Sequence, residues 1–482
     1  MRKKVWIYLF GLIVIVFICV GVYVSSGTDQ ATAFVNVNLI PMTDEIVLPG
    51  QIVLARNGQI AQIGSAEEVK VPRRAQVIDG SGKYLLPGLA DMHMHTRQDW
   101  DDRAVWPASP LAMYLANGVT TIRDLGPTGE IITYPLQWRE EIEAGIRTGP
   151  RIFASGKIFY KSPINDPAAL VQENCDQGFD FLKVYSYVSG PDYYRAMWQA
   201  HELGLYTVGH IPYAVGLKGS LSGGMDEIAH VEELIYEFFH FDRNQELPPE
   251  QWTPIIIQSV LGEYDFSRGD FLEKFIDQNS SVMEEITALL LEYDTPVSTT
   301  MTVDAIVVMK NYQKEEFLAR PENRYFEEGY LDGYLAGNEK HLNQCRGVEK
   351  VCAAKAAIDL WILKELHQAD VTLVLGTDAG TGGMGIVPGY SVHDELDILL
   401  ENRFTPYQAI ETATVNAALV AERMTGEGDF GMIVEGYRAD LLLVEANPLE
   451  EISTLRNPLG VMAGGEWYSR STLLRLIEID DQ

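Results

Sequence analysis

The sequence predicts an α/β chain. Eight strands alternating with helices would close into a parallel barrel, joined to a small β domain built from both chain ends and preceded by a membrane-spanning helix. Three observations predict this. Strand-like runs begin near residues 88, 119, 151, 181, 205, 226, 295 and 371, and helical patterns such as SPLAMYLANG, PDYYRAMWQAHELG and AAKAAIDLWILKELHQ lie between most of them. Short strands with turns over residues 33–83 are matched by a similar β pattern near the C-terminus, ADLLLVEA and GVMAGGEWYS. Val5–Val24 is an uncharged apolar run of twenty residues preceded by Arg2, Lys3 and Lys4. An open doubly wound sheet would also alternate in this way, but no glycine-rich phosphate loop follows the first strand of the middle region.

In chain order, residues 1–28 form the membrane segment. Twenty apolar residues span a bilayer, and the basic residues ahead of them place the rest of the chain on the extracytoplasmic side of a cell membrane, single-pass. A cleaved signal peptide is the competing reading and would leave the chain secreted or periplasmic. Residues 29–86 are the first part of the β domain, where Asn57-Gly58 between alternating segments signals a hairpin. Residues 87–430 are the barrel, with insertions at 236–294 and 304–350 that exceed an ordinary connection. The first insertion opens with the aromatic run YEFFHFDRN, as a lid over a site or as packing against the barrel. Residues 431–482 complete the β domain.

A net charge of −31 over 482 residues excludes nucleic acid as a partner. Cys19 lies in the apolar run, and Cys175, Cys345 and Cys352 imply no framework of disulfides. Cys345 and Cys352 could pair only if CRGVEKVC bends, because seven helical residues separate Cα atoms by about 10 Å.

The stretch Leu85–Thr96, LLPGLADMHMHT, carries the chemistry. It reads as a buried parallel strand ending in His93 and His95, and the period of two aims both imidazoles the same way, a chelating geometry. Asp91 shares their parity and would orient an imidazole by accepting its second N–H. Lys183 in the fourth strand, His210 closing the fifth, His230 in the sixth and Asp378 closing the eighth would face the same mouth, where such barrels carry their sites. Arg123 and Asp124 in the second strand read as an ion pair within the barrel. Tyr213, just past GHIP, is a candidate substrate contact or a packed tyrosine. His393 would face the pocket from the last helix or cap that helix.

With these residues, and with VTTIRDLG, DFLKVYSY, GHIP, IAHVEE, VLGTDAG, TPYQAIETATVNAA and GMIVEGYRADLLLVEANPLEEI, the chain after about residue 33 resembles the amidohydrolase superfamily. The resemblance is to its imidazolonepropionase-like and Xaa-Pro dipeptidase-like (prolidase-type) branch. It implies a (β/α)8 TIM-type barrel with a small β-sandwich from both termini. It also implies two divalent metal ions, Zn²⁺ by ligand type: His93 and His95 bind one with Asp378, His210 and His230 bind the other, and a carboxylated Lys183 bridges them. Such a pair would hold a bridging hydroxide, and Asp378, the ligand able to move a proton, is the implied catalytic acid–base. Ala229 stands where many relatives have Glu, and both insertions fall where the substrate pocket would be walled. The expected activity is therefore hydrolysis of an amide bond in a small-molecule or peptide-like substrate, a dipeptide or N-acyl amino acid. A cyclic-amide (imidazolone-like) hydrolase and an inactive barrel serving as a binding scaffold are the alternatives. Nothing in the sequence fixes an oligomeric state.

Overall fold

The structure is a computed structural model that describes residues 31–127, 132–245, 247, 248, 251, 252, 256, 259, 264–266, 268–380 and 384–479. The chain opens with strands β1 (Ala31–Leu39), β2 (Leu48–Arg56), β3 (Gln59–Gly64), β4 (Gln76–Asp79) and β5 (Tyr84–Pro87). Asn57 and Gly58 make the two-residue turn between β2 and β3, both with positive φ (52° and 79°), as a tight hairpin requires. Along β1 and β2 the side chains alternate between two apolar clusters. Phe34, Val53 and Ala55 join one, and Ala33, Ile52 and Leu54 the other, so this sheet is packed on both faces.

The middle of the chain supplies β6 (Leu89–Met94), β7 (Val119–Asp124) and β8 (Arg151–Ala154), and then β9 (Phe159–Lys161), β10 (Phe181–Tyr187), β11 (Tyr206–Gly209), β12 (Glu227–Ile228), β13 (Val297–Ser298) and β14 (Leu373–Val374). All their ladders are parallel, and β6 and β7 are buried along their whole length, polar residues included. The chain then returns with β15 (Leu441–Val444), β16 (Gly460–Ala463) and β17 (Glu466–Ser469), and β15 pairs with β5. Both chain ends thus share one hydrogen-bonded sheet of eight strands, in the order β17-β16-β15-β5-β1-β2-β3 with β4 on β1.

The expected fold class is corrected on two counts. The continuous, closed eight-stranded ladder of a TIM-type barrel is not formed. The parallel strands divide into a three-stranded sheet (β6-β7-β8) and a six-stranded one (β14 to β9), whose edges are joined by the isolated bridges Met94–Ala379 and Ser155–Phe181 and by separate backbone hydrogen bonds such as that from the Met92 N–H to the Leu375 carbonyl (2.9 Å). The physical reason lies at β14, which is two residues long. Beyond it Thr377 and Asp378 both donate to the carbonyl of His93 (3.0 and 2.7 Å), and Asp378 turns left-handed (φ 56°), so the regular ladder is interrupted and pairing resumes at Ala379, whose carbonyl accepts the His95 N–H (2.8 Å). A ninth strand, β9, also joins the second sheet. As for the membrane-spanning helix, no helix among the described residues is long and apolar enough to cross a membrane, and Val5–Val24 lies outside the described residues.

The long segments carry helices. Phe271–Glu292 packs Phe275 against Phe238 and Trp361, with ring centroids 5.6 and 5.9 Å apart. The segment Arg346–Val348 breaks the helix between Lys340–Cys345 and Glu349–Gln368, which brings Cys345 and Cys352 to a Cα separation of 6.1 Å in a disulfide.

Candidate metal centre

The structure brings six of the sequence-predicted residues together where the parallel strands end. His93 and His95 leave the end of β6 with ring centroids 5.5 Å apart, and their Nε2 atoms lie 3.5 and 3.0 Å from Asp378 Oδ1. The approach of the segment after β14 to β6 needs Gly376, because a Cβ there would sit 2.4 Å from that of His93. The His230 ring lies 4.3 Å from His93 and 4.6 Å from His210. Lys183, in mid-β10, is 1% exposed, and its Nζ has no hydrogen-bond partner among the described residues.

Each histidine is held through Nδ1. His93 engages the carbonyl of Ala229 (2.8 Å), His95 that of Gly126 (3.0 Å), His210 the Glu233 carboxylate (2.6 Å) and His230 the Thr300 hydroxyl (2.9 Å). This leaves Nε2 on each ring as the remaining donor atom, the arrangement in which a second hydrogen bond fixes the tautomer of a metal ligand. Four of these partners escaped the sequence reading: the carbonyls of Gly126 and Ala229, the Thr300 hydroxyl and the Glu233 carboxylate. Glu233 follows His230 by three residues yet serves His210 of the neighbouring strand, so only the run IAHVEE hinted at it.

Electrostatics favour the ligand forms of His93, His210, His230 and Asp378, but not of His95. Burial, reinforced by neighbouring positive charge, holds His93, His210 and His230 well below the ordinary histidine pKa, so these rings are neutral. Burial lowers Lys183 to about 7, although Asp378 and Glu233 pull it back up. Burial is the largest influence on both His95 and Asp378 and opposes their charge, but their mutual hydrogen bond and charge attraction, together with other neighbours, outweigh it, raising the pKa of His95 and lowering that of Asp378. Burial, with Glu232 beside it, pushes Glu233 up to about 8.

Three expectations are corrected here. Asp91 orients no imidazole. It accepts from the backbone N–H of His93 (3.3 Å), from the N–H and hydroxyl of Thr377 (3.1 and 2.6 Å) and from Tyr114, tying β6 to the segment that carries Asp378. Arg123 pairs with Glu227 of β12 rather than Asp124, and Asp124 instead accepts from the Thr96 hydroxyl and the Gly126 N–H. His393 is seated against the carbonyl of Asn117 (3.0 Å), at the end of the helix Pro110–Ala116, and not among the six. Tyr213 is 5% exposed and packs against Tyr236 and Trp252 at 5.0 and 5.5 Å, with Tyr187 at 5.8 Å.

Parallel strands that end in a cluster of imidazole, carboxylate and lysine groups define an α/β protein with a candidate metal site, His93, His95 and Asp378 among its donors, at one end of its sheets. Residues 337–468 match the model of the amidohydrolase family. It is 32% identical over 102 residues to an adenine deaminase of Listeria welshimeri serovar 6b, which is 21% of this chain and 16% of that protein. It is 37% identical over 98 residues to the ochratoxinase of Aspergillus niger, which is 20% of this chain and 18% of that one. The matched stretch thus spans less than a fifth of either relative. The likeness in fold is longer. The crystal structure of A. niger ochratoxinase aligns with 91% of this chain and 96% of its own at a TM-score of 0.59 and 19% identity. A Xaa-Pro dipeptidase with bound methionine in the active site aligns with 91% of this chain and 100% of its own at a TM-score of 0.63 and 19% identity.

Proposed function

We propose that this chain is a metal-dependent hydrolase that cleaves an amide C–N bond of a dipeptide or an N-acyl amino acid at the cluster of His93, His95, Lys183, His210, His230 and Asp378. The observation that carries this reading is the convergence of four buried imidazoles, each held through Nδ1, on a carboxylate and a lysine amine without a partner. A buried amine and the buried His93 Nε2, neither with a hydrogen bond among the described residues, are costly unless something further satisfies them. Neutral imidazoles with a carboxylate are the donor set that suits Zn²⁺ and related divalent ions, so the residues present fit a metal. His93, His95 and Asp378 would hold one ion, and His210 and His230 a second. Lys183 would join them as a carbamate: its neutral amine attacks the carbon of CO2, an N–C bond forms, one C=O electron pair moves to oxygen, and a proton leaves. A pKa near 7 keeps enough neutral amine for that step.

When bound, the ions would supply Lewis acidity that polarises the scissile carbonyl and acidifies a water. The chain's own part is the proton. Asp378, whose pKa its cationic neighbours hold below the ordinary carboxylate value in spite of burial, takes a proton from the attacking water and delivers it to the amide nitrogen as the C–N bond breaks. Glu233 holds the His210 ring through one oxygen while its other oxygen accepts the Ile211 N–H (3.0 Å), which anchors the carboxylate that orients the ring.

Purified protein is expected to carry a pair of divalent ions per chain by elemental analysis. It should also hydrolyse members of a dipeptide and acyl-amino-acid library, whereas activity confined to cyclic amides would replace the substrate class. Lys183→Ala should lose activity that short carboxylic acids partly restore. Wild-type activity in that variant would show the lysine to be structural and end the binuclear reading.

A further inference from the structure

We propose that the β10 side of the site, formed by Tyr185, Tyr187 and Tyr160, is a recognition surface for a flat aromatic ring on the substrate, next to the scissile amide. The inference rests on the cluster being the reaction site and names the chemistry of what it accepts.

The register of β10 supplies the first step. Lys183, Tyr185 and Tyr187 alternate with Leu182, Val184 and Ser186, so the two tyrosines lie on the face that carries Lys183, successively nearer the strand's C-terminal end. Burial falls along that face, from fully buried Lys183 to half-buried Tyr185 and Tyr187. The Tyr185 ring stands 3.9 Å from that of His210, so the surface begins at the cluster itself. Tyr160 of β9 continues it outward, with its ring 5.0 Å from Tyr185 and 5.7 Å from Tyr187 and half of its surface exposed (49%).

The second step is the shape of this patch. Tyr185 and Tyr187 are 5.6 Å apart and inclined at 41°, and Tyr160 is inclined at 45° to Tyr185 and 77° to Tyr187. The three rings therefore offer faces and edges together, which another aromatic ring matches at centroid distances of about 4.5–7 Å and an aliphatic group does not exploit. A patch of aromatic rings that begins at the proposed reaction site and opens outward is the kind of surface that a ligand covers.

The test uses purified, metal-loaded protein and two ketones of matched size, phenylacetone and cyclohexylacetone. Neither has a C–N bond to cleave, so their affinities, read by saturation-transfer NMR titration, are independent of turnover. Phenylacetone is expected to bind up to about tenfold more tightly, the advantage an aromatic contact gives beyond area. Tyr185→Leu and Tyr160→Ala should bring the ratio towards one, while Tyr185→Phe retains it. Metal content and thermal melting check each variant. Should Tyr185→Leu not fold, the exposed Tyr160→Ala decides. Equal affinity for the two ketones in the unaltered protein, or a ratio that neither substitution moves, would overturn the inference. Failure of the amide library alone would instead strike the hydrolase reading.

Discussion

Asp378 occupies a left-handed backbone conformation (φ 56°) at the point where β14 has ended and the chain crosses the carbonyl of His93. Aspartate and asparagine both tolerate that conformation, so Asp378→Asn changes the chemistry without straining the turn. The variant keeps an oxygen for His95 and for a metal but can no longer pick up and release a proton. If the carboxylate is the acid–base, kcat should fall by at least roughly a hundredfold, while metal content falls much less. Steady-state kinetics beside elemental analysis separate the two effects, and near-normal kcat with full metal would remove Asp378 from the proton path. At this scale the sequence was informative because the ligand-type residues announce themselves locally: a His-x-His at one strand's end, a lone lysine in an apolar strand, an aspartate before glycine. Their supports were not legible. His210 and Glu233 are 23 residues apart, His230 and Thr300 are 70 apart, and His93 meets a mere backbone carbonyl 136 residues away. No local pattern encodes such pairings.

Between elements, the connection that matters most is the ion pair of Arg123 in β7 with Glu227 in β12, because it joins the three-stranded sheet to the six-stranded one. Both side chains are fully buried, Arg123 also donates to the carbonyl of Met92 (2.7 Å), and Glu227 accepts from the Tyr206 and Ser298 hydroxyls (3.1 and 2.9 Å). Removing one partner leaves the other charge buried and uncompensated. Glu227→Gln is therefore expected to destabilise the fold by about 3–5 kcal/mol, and the double change to apolar residues of similar volume by much less. Denaturant melts of the single and double variants read this, and additive losses would show that the pair is not a unit. The strand starts were recoverable from apolar runs, yet Arg123 was assigned to its chain neighbour Asp124. Adjacent strand residues point to opposite faces, and that rule argues for a partner across the interior instead. The broken ladder was not legible either, since pairing near β14 is decided by one backbone turn at Asp378 and not by composition.

For the molecule as a whole, pH should act through buried carboxylates beneath the candidate centre. Burial pushes Asp91 up to about 7 and Asp124 up to about 6, in spite of the hydrogen bonds each accepts. A carboxyl whose folded pKa lies above its unfolded value binds its proton more tightly in the folded state. Its stabilising contribution is complete below the ordinary carboxylate pKa of 3.8 and is lost as pH rises towards the folded value. The metal-free protein should accordingly lose stability between roughly pH 4 and pH 7. A net charge of −31 at neutral pH works in the same direction by self-repulsion, so the slope of the unaltered protein alone cannot assign the cause. Asp91→Asn can: it preserves an acceptor for Thr377 but has no proton to lose, and it leaves the remaining charges in place. The difference in unfolding free energy between the two proteins, measured by denaturant titration across that window, should move in favour of the variant as pH rises. A difference that stays constant from pH 4 to pH 7 would mean that Asp91 is already ionised in the folded protein, held so by its four hydrogen bonds to His93, Thr377 and Tyr114.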